Sequence, residues 1–266
     1  MPKNPGPQTW HADFLVRSPM MAPLRAAGER LRGAAWPALE AMQPPVPIYT
    51  ASGQPLRFVP QGAKPACFAE QYEPRITLRG EVQTRTENWH DLFNALAWLA
   101  FPRAKAAINA QHYRAAVTQQ PGRNRHPARH KLTLFDESGV AVLCADPELA
   151  QLLREHRWKE LFWERREALA RAMVFFVFGH SLYEKALHPY IGLTGHGLIL
   201  PVGKDFLGEG AQGRLAALDA LLAERLSQPH SLAFTPVPLL GVPGWWAGNE
   251  IETFYDDSGY FRPKRP

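Results

Sequence analysis

The chain of 266 residues is 45% hydrophobic and 21% charged, which is long enough and apolar enough to bury a full core. No stretch reaches the roughly 18 to 20 apolar residues of a membrane span, so the sequence predicts a soluble, cytoplasmic protein with no membrane partner. A net charge of +5 is compatible with a phosphate-bearing partner, but spread over this length it supports nucleic acid binding only weakly. Two distant cysteines, Cys67 and Cys144, exclude a disulfide framework and a cysteine-based zinc pattern.

The first hundred residues predict broken helix, short strands and then a regular helix. A helix-forming run over residues 23–42 is interrupted by Pro37, so it should kink or split there. Residues 75–85 (RITLRGEVQTR) alternate apolar and polar side chains around a glycine, which favours a hairpin. Asn88 is a good cap for a helix over residues 89–100.

The remainder of the chain predicts further helices and a second hairpin. Pro102 should end one helix and open the next. Residues 131–145 (KLTLFDESGVAVLCA) contain two β-rich runs around a turn and predict a hairpin. Asp146 should cap a long helical stretch that breaks near Arg157, leaving helices of about 10 and 28 residues. The second of these becomes apolar all round from Met173, as a buried helix does.

These elements predict an α+β, mostly helical fold. A small antiparallel sheet built from the two hairpins would pack against the central apolar helix near Met173. GLILPV predicts a further short strand, and QGRLAALDALLAERLSQ predicts an amphipathic helix. We expect residues 1–44 to form an N-terminal extension with a kinked helix, and residues 45–263 to form a single globular domain.

Histidines and a carboxylate follow the apolar run MVFFVFG at helical spacing. His180, Glu184 and His188 would share one helix face, but the two ends would be about 12 Å apart and cannot bind one ion together. Pro189 places His188 in a last turn, where an imidazole can satisfy free carbonyl groups. His180 and Glu184 must find partners or shift their pKa, either in a functional site or in a buried structural pair.

A second polar set begins the helix capped by Asn88. His90 and Asn94 are four residues apart and share a face. Asp91 points elsewhere, and it can either contribute to a site or return a hydrogen bond to the cap.

Three other segments each allow two interpretations. The basic run PGRNRHPARH could grip phosphates or simply be solvated. His196, between two glycines, could approach a ligand or bond to a turn. Trp245 and Trp246 could stack on a base or sugar, or anchor a terminal segment. The sequences DESG and DDSG are typical of turns rather than of metal loops.

No nucleotide-binding glycine loop, dinucleotide fingerprint, nucleophile elbow or HExxH motif occurs in the sequence. Five segments, in order, carry a resemblance: ENWHDLFNALAWLAFPRAKAAIN, LTLFDESG, RWKELFW, FGHSLYEKALHPYIGLTGH and LGVPGWW. Together they resemble the family called domain of unknown function 3025, over about residues 45–263. The resemblance implies a bacterial, cytosolic protein, and it supplies no activity, cofactor or catalytic residue.

The residues alone favour a hydrolase, with or without a metal ion, acting on a small-molecule or phosphate-bearing substrate such as a phosphoester, and more weakly on nucleic acid. His180 and Asp91 would bind an ion or orient water, Glu184 would be the base and His90 the acid, with Asn94 beside them. The identity of any ion or cofactor is left open.

The alternative is a non-enzymatic binding or scaffold protein whose polar residues close a buried network. The two hypotheses differ in geometry, because a site requires these groups to converge within about 6 Å around an open cavity.

Overall fold

The computed structural model describes residues 8–118, 127–208 and 210–264. The strands are β1 Arg57–Pro60, β2 Glu81–Thr84, β3 Gly139–Cys144, β4 Met173–Val177, β5 Thr194–Pro201 and β6 Thr235–Pro238. The helices are α1 Arg25–Gly28, α2 Leu39–Met42, α3 Tyr72–Arg79, α4 Trp89–Ala100, α5 Pro102–Thr118, α6 Pro127–Ser138, α7 Pro147–Arg154, α8 Arg166–Ala172, α9 His180–Ala186, α10 Lys204–Gly208 and α11 Ala211–Leu226. In these ranges, none of the helices combines the length and hydropathy that crossing a bilayer demands.

Four strands form a mixed sheet in the order β4-β3-β5-β6. Strand β3 runs parallel to β5 and antiparallel to β4, and β6 is antiparallel to β5. All six residues of β3 (GVAVLC) are buried, as expected of an inner strand covered on both faces. Strands β1 and β2 form a separate two-stranded parallel sheet.

The main sheet separates two hydrophobic clusters, and the alternation of side chains along β3 explains the separation. Val140 and Val142 belong to the larger cluster, which includes residues of α4, α9 and the N-terminal segment. Ala141 and Leu143 point to the opposite face and belong to the cluster built from α5, α6 and α11. The mostly helical α+β fold predicted from the sequence is therefore confirmed.

Helix boundaries with clear capping signals were also predicted correctly. The Asn88 side chain accepts a hydrogen bond from the backbone N–H of Asp91 at 3.0 Å, and α4 begins at the next residue. Pro102 opens α5, and Asp146 caps α7 through the N–H of Glu148. The segments GLILPV and QGRLAALDALLAERLSQ form parts of β5 and α11, as expected.

The predicted hairpin over residues 75–85 is wrong. Residues before Gly80 form α3, and those after it form β2, which pairs with β1 in the register Arg57↔Glu81. Gly80 has φ +69° and its N–H donates to the carbonyl of Ile76, so it ends the helix in the left-handed conformation that glycine tolerates. A helix stop was thus mistaken for a turn.

The second predicted hairpin, over residues 131–145, is also wrong. The run KLTLFDES forms the last two turns of α6, and the strand begins only at Gly139. Leu132 and Phe135 are three residues apart and fully buried, so the run follows helical rather than alternating periodicity. The antiparallel two-hairpin sheet is accordingly replaced by the mixed sheet described above.

The central apolar helix near Met173 is the third wrong prediction. The break near Arg157 exists, since α7 ends at Arg154 and His156 adopts φ +58°. After α8, however, the aromatic and β-branched run MVFFV forms β4, with Met173, Phe175 and Val177 buried and the residues between them less so. Aromatic and β-branched residues pack well on the pleated surface of a sheet, and this run pairs with β3 at the edge of the main sheet.

The N-terminal segment is split as predicted, with short helical pieces on either side of Pro37. Phe14 and Leu15 are fully buried in the larger cluster, and the ring of Trp10 stacks on that of Trp89 with centroids 5.0 Å apart. The described part of the segment therefore packs on the core of its own chain, next to α4. The boundary at residue 45 remains a prediction.

Candidate functional site

A cavity of about 330 Å³ opens where α3, α4, α5, α6 and the start of α9 meet. Most of its lining is polar or ionisable. The helical residues that contribute such side chains are Tyr72, Glu73, His90, Asp91, Asn94, His112, Thr133, Asp136, Glu137 and His180. Four of the five residues predicted from the sequence thus face one cavity, and the fifth, Glu184, lies directly behind His90.

Two imidazoles meet in the cavity. The Nε2 atoms of His90 and His180 are 3.2 Å apart, and the two rings are nearly perpendicular. His180 is the first residue of α9, and Gly179 before it allows the chain to approach the end of α6, since a Cβ there would overlap the backbone of Glu137 and Ser138. The glycine therefore fixes where the second imidazole enters the site.

The carboxylate of Glu137 completes a three-residue cluster. Its Oε2 lies 3.6 Å from Nε2 of His180, and the nearest ligand-type atoms of His90, Glu137 and His180 all lie within 4.8 Å of one another. Ser181 donates a hydrogen bond to the same oxygen and orients the carboxylate. Two histidines and one carboxylate are a common ligand set for divalent metal ions.

The outward nitrogen of each imidazole faces another carboxylate. Nδ1 of His90 lies 3.5 Å from Oε2 of Glu184, and Nδ1 of His180 lies 3.9 Å from Oδ2 of Asp136. The side chain of His180 is only 6% exposed, and its Nδ1 has no hydrogen-bond partner among the described residues. Both rings consequently present Nε2 to the cavity and have Nδ1 near an acid. Proteins orient metal-binding histidines by a hydrogen bond from this second nitrogen to an acid, and at His180 the separation of 3.9 Å is too long for that bond.

These contacts define the charge state of the cluster. The Glu184 carboxylate raises the pKa of His90, against the opposing effect of partial burial. Burial lowers the pKa of His180, so its imidazole is neutral near pH 7. The pKa of Asp136 is lowered despite burial, because the ammonium of Lys105 stabilises its charge. His180 is therefore in the neutral form that coordinates metal, whereas the raised pKa of His90 favours the protonated form, whose proton a metal ion would have to displace.

Lys105 holds two polar residues that lie next to the histidine cluster. Its buried ammonium donates hydrogen bonds to Oδ1 of Asp136 at 2.5 Å and to Oδ1 of Asn94 at 2.9 Å. Asn94 donates in turn to the hydroxyl of Tyr72 at 2.9 Å. Asn94 was predicted as a site residue, and the structure places it at the cavity wall as part of this supporting network.

Asp91 also lines the cavity, but both of its oxygens are engaged by Arg85. The guanidinium donates to Oδ2 at 2.9 Å and to Oδ1 at 2.8 Å, and the backbone N–H of Arg85 donates to Oδ2 as well. The carboxylate does not return a hydrogen bond to Asn88, which was one predicted role. A bidentate pair of this kind fixes the wall of the cavity between β2 and α4.

A serine protease-like relay does not fit this geometry. The hydroxyl of Ser181 lies 3.5 Å from His90, and the carboxylate of Glu184 lies at the same distance. Both contacts are to Nδ1, whereas a catalytic relay requires the nucleophile and the acid at opposite ring nitrogens.

Helix α3 contributes Glu73, in its first turn, to the wall of the cavity. The side-chain amide of Asn109 donates to Oε2 of Glu73 at 2.7 Å and to its backbone carbonyl at 3.0 Å. Thr77 donates to the Asn109 oxygen at 2.8 Å and so holds the amide in this orientation. Burial raises the pKa of Glu73 to about 7, with the nearby Asp136 charge adding to the effect of burial.

Sequence reasoning missed Asp136, Glu137 and Lys105. The two acids were assigned to a turn because Asp136, Glu137 and Ser138 directly precede Gly139. Lys105 lies in the middle of the α5 sequence, where no local pattern marks it as a site residue. The buried spacing of Leu132 and Phe135 was the available signal that DESG ends a helix, which would have exposed its acids as candidates.

The remaining candidates lie elsewhere. His188 follows α9 with its ring 6.1 Å from that of His11, and His196 lies within strand β5 rather than on a connector. Trp245 and Trp246 are partly buried against the larger cluster, in agreement with the anchoring role. Residues 119–126, including most of the basic run, lie outside the described residues, and the end of that run belongs to α6.

Comparison with known proteins gives one result. No curated protein and no solved structure matches the chain significantly. Residues 56–265, well over half of the chain, match a family described as protein of unknown function, DUF3025. The chain therefore belongs to the DUF3025 family.

Proposed function

We propose that this protein is a metal-dependent hydrolase whose divalent ion is held by Nε2 of His90, Nε2 of His180 and the carboxylate of Glu137. The observation that carries the proposal is the convergence of two imidazole Nε2 atoms and one carboxylate at the wall of an open cavity. Glu184 and Asp136 would act as positioning residues behind the two rings.

The separations between the candidate ligand atoms support this assignment. In tetrahedral zinc sites with bonds near 2.0 to 2.1 Å, neighbouring ligand atoms are about 3.3 Å apart. In the structure the two nitrogens are 3.2 Å apart, His180 and Glu137 are 3.6 Å apart, and all three ligand atoms lie within 4.8 Å of one another. Imidazole-rich sites suit zinc better than magnesium or calcium, which prefer oxygen ligands.

Three protein ligands leave a coordination position for water on the cavity side. A bound divalent ion lowers the pKa of such a water towards 7 and so generates a hydroxide nucleophile, which is the chemistry of zinc hydrolases. Glu184 was predicted to be the base, but its contact with the far nitrogen of His90 favours an orienting role.

The size and charge of the cavity bear on the substrate. A volume of about 330 Å³ suits a small molecule better than a polymer. We propose a phosphoester as the group cleaved, because a divalent ion would allow a lining that includes Asp91, Asp136 and Glu137 to accept an anion. The same acidic lining disfavours nucleic acid. The proposed location is the reducing cytoplasm, supported by two free cysteines.

A binding or scaffold role is the second candidate. The pairing of Asp91 with Arg85 and of Asp136 with Lys105 supports this role, because both acids are compensated within the protein. In that case the histidines would belong to the same closed network and would bind no ion.

Metal analysis separates the two proposals. The protein should copurify with, or take up, one zinc ion per chain in a calorimetric titration. His180→Ala and His90→Ala should each weaken zinc binding by at least about a hundredfold, because each removes a ligand. Asp136→Asn should weaken it by about tenfold, because it removes an orienting acid.

The matched control is His130→Ala, which removes an exposed histidine from α6, the helix that also carries Glu137. Circular dichroism would establish that each variant folds. Two outcomes would refute the proposed metal site and favour the scaffold role: no zinc binding by the folded wild type, or zinc binding that is unchanged in both histidine variants.

A further inference from the structure

The ionisable groups of the cavity are unequally compensated. Asp91 is paired with the guanidinium of Arg85, and Asp136 is paired with the buried ammonium of Lys105. Glu137 belongs to the histidine cluster. These groups therefore have their counter-charges in the protein or, under the proposed function, in a bound ion.

Glu73 differs from these three acids. Among the described residues its side chain is hydrogen-bonded to a neutral amide, that of Asn109, and it takes part in no ion pair within 4.0 Å. The charged groups that act on it from the neighbouring helices are Asp136 on α6, which opposes its charge, and Lys105 on α5 and Arg129 on α6, which favour its charge. It is thus the cavity carboxylate that most lacks a cation.

The position of Glu73 is nevertheless fixed. Asn109 grips both its carboxylate and its backbone carbonyl, and Thr77 fixes Asn109 in turn. The adjacent Tyr72 ring lines the same wall, with its hydroxyl held by Asn94. An oriented carboxylate beside an aromatic ring is a typical receptor for an ammonium or guanidinium group. Holding such a carboxylate in the absence of a cation costs folding energy, which a ligand would recover.

We propose that the Glu73 wall of the cavity binds a cationic group of the substrate, a protonated amine or a guanidinium. This inference rests on the proposed function for the rest of the substrate: the cluster of His90, His180 and Glu137, which lines the same cavity, would hold the bond to be cleaved. The substrate class is therefore a small amine-bearing phosphoester. The cation-binding half of this inference stands independently of whether a metal ion binds.

The test uses n-butylammonium as the probe and n-butanol as its neutral counterpart. Binding would be followed by amide chemical-shift titration of the wild-type protein, both zinc-loaded and after treatment with a chelator. The ammonium should shift residues at the start of α3, around Tyr72 and Glu73, in both preparations. Butanol should shift them far less, because it cannot form the ion pair.

The pH dependence adds a specific signature. With the pKa of Glu73 near 7, affinity for butylammonium should be about tenfold weaker at pH 6 than at pH 8. The ligand itself stays protonated over this range, since alkylamines titrate near pH 10. Glu73→Gln keeps the oxygen that accepts from Asn109, and it should abolish both the binding at pH 8 and its pH dependence. Glu40→Gln, at an exposed site outside the cavity, is the matched control.

Equal binding of butanol and butylammonium, or unchanged ammonium binding in Glu73→Gln, would overturn the inference. If the glutamine variant fails to fold, the wild type still tests the inference: an affinity for butylammonium that does not change between pH 6 and pH 8 would overturn it. Ammonium binding without zinc binding would reject the proposed function but keep the cation site. Zinc binding through the two histidines without ammonium binding would reject the cation site but keep the metal site.

Discussion

Replacing Glu73 by glutamine is expected to stabilise the protein, and to do so more strongly as the pH rises. Burial raises the pKa of Glu73 from 4.5 to about 7 in the folded state. The folded protein consequently holds this proton more tightly than the unfolded chain, and ionisation above pH 4.5 destabilises the fold progressively until the folded carboxyl has itself ionised near pH 7. Glutamine mimics the protonated form and avoids this cost.

The size of the effect follows from the two pKa values. The rise in the pKa of Glu73 from 4.5 to about 7 corresponds to an upper value of about 3 kcal/mol at pH 8. At pH 5 it corresponds to only about 1 kcal/mol, because this pH lies just above the pKa of the carboxyl in the unfolded chain. Glu73 is only partly buried, so solvent screening reduces these figures. We expect the advantage of the variant to grow by about 1 to 2 kcal/mol between pH 5 and pH 8.

Urea unfolding of both proteins at the two pH values measures this difference directly. The midpoint should shift while the slope stays constant, which would show that the denatured state is unaffected. A stability difference that is independent of pH, or a variant less stable than the wild type at pH 8, would refute the argument that Glu73 is a carboxylate without a compensating cation.

Three further substitutions test the contacts that fix the start of α5 and the end of α3, two of the helices around the cavity. Asp219→Ala should destabilise the protein by about 2 kcal/mol in chemical denaturation, because the buried carboxylate accepts from the first free N–H groups of α5, including that of Ala104 at 2.8 Å; an effect below about 0.5 kcal/mol would contradict this capping role. Gly80→Ala should cost more than about 2 kcal/mol, since its φ of +69° is unfavourable for alanine and the new Cβ would overlap the carbonyl oxygen of Pro55. Gly53→Ala is the control for backbone strain, because Gly53 has φ +81° but open space around it, and it should cost only about 1 kcal/mol. Equal losses of stability at Gly80 and Gly53 would show that the overlap with Pro55 is relieved.

Local capping chemistry made several helices predictable. Asn88 before α4, Pro102 at the first position of α5 and Asp146 before α7 each satisfy or remove backbone N–H groups within a few residues, so the signal lies in the sequence itself. The predicted residues His90 and His180 also meet in the structure, with Glu184 beside them.

Two of the three wrong predictions share one cause. KLTLFDES could form either the arm of a hairpin or the end of a helix, and MVFFV could form either a buried helix or a strand. Short apolar runs carry no decisive period, so the partner against which they pack decides. The error at DESG concealed Asp136 and Glu137, and with them the carboxylate member of the candidate metal site.

By itself the sequence determined the α+β class, the capped helices, and the presence of histidines and acids at helix starts. Only the tertiary structure decided which of those groups became neighbours. Antiparallel pairing of β3 with β4, in which Val140 lies opposite Val177, and the close approach at Gly179 bring the end of α6 and the start of α9 together. Glu137 and His90 contact the start of α9 across 44 and 90 positions of the chain. Such contacts depend on how whole helices and strands pack, and no local sequence pattern predicts that packing.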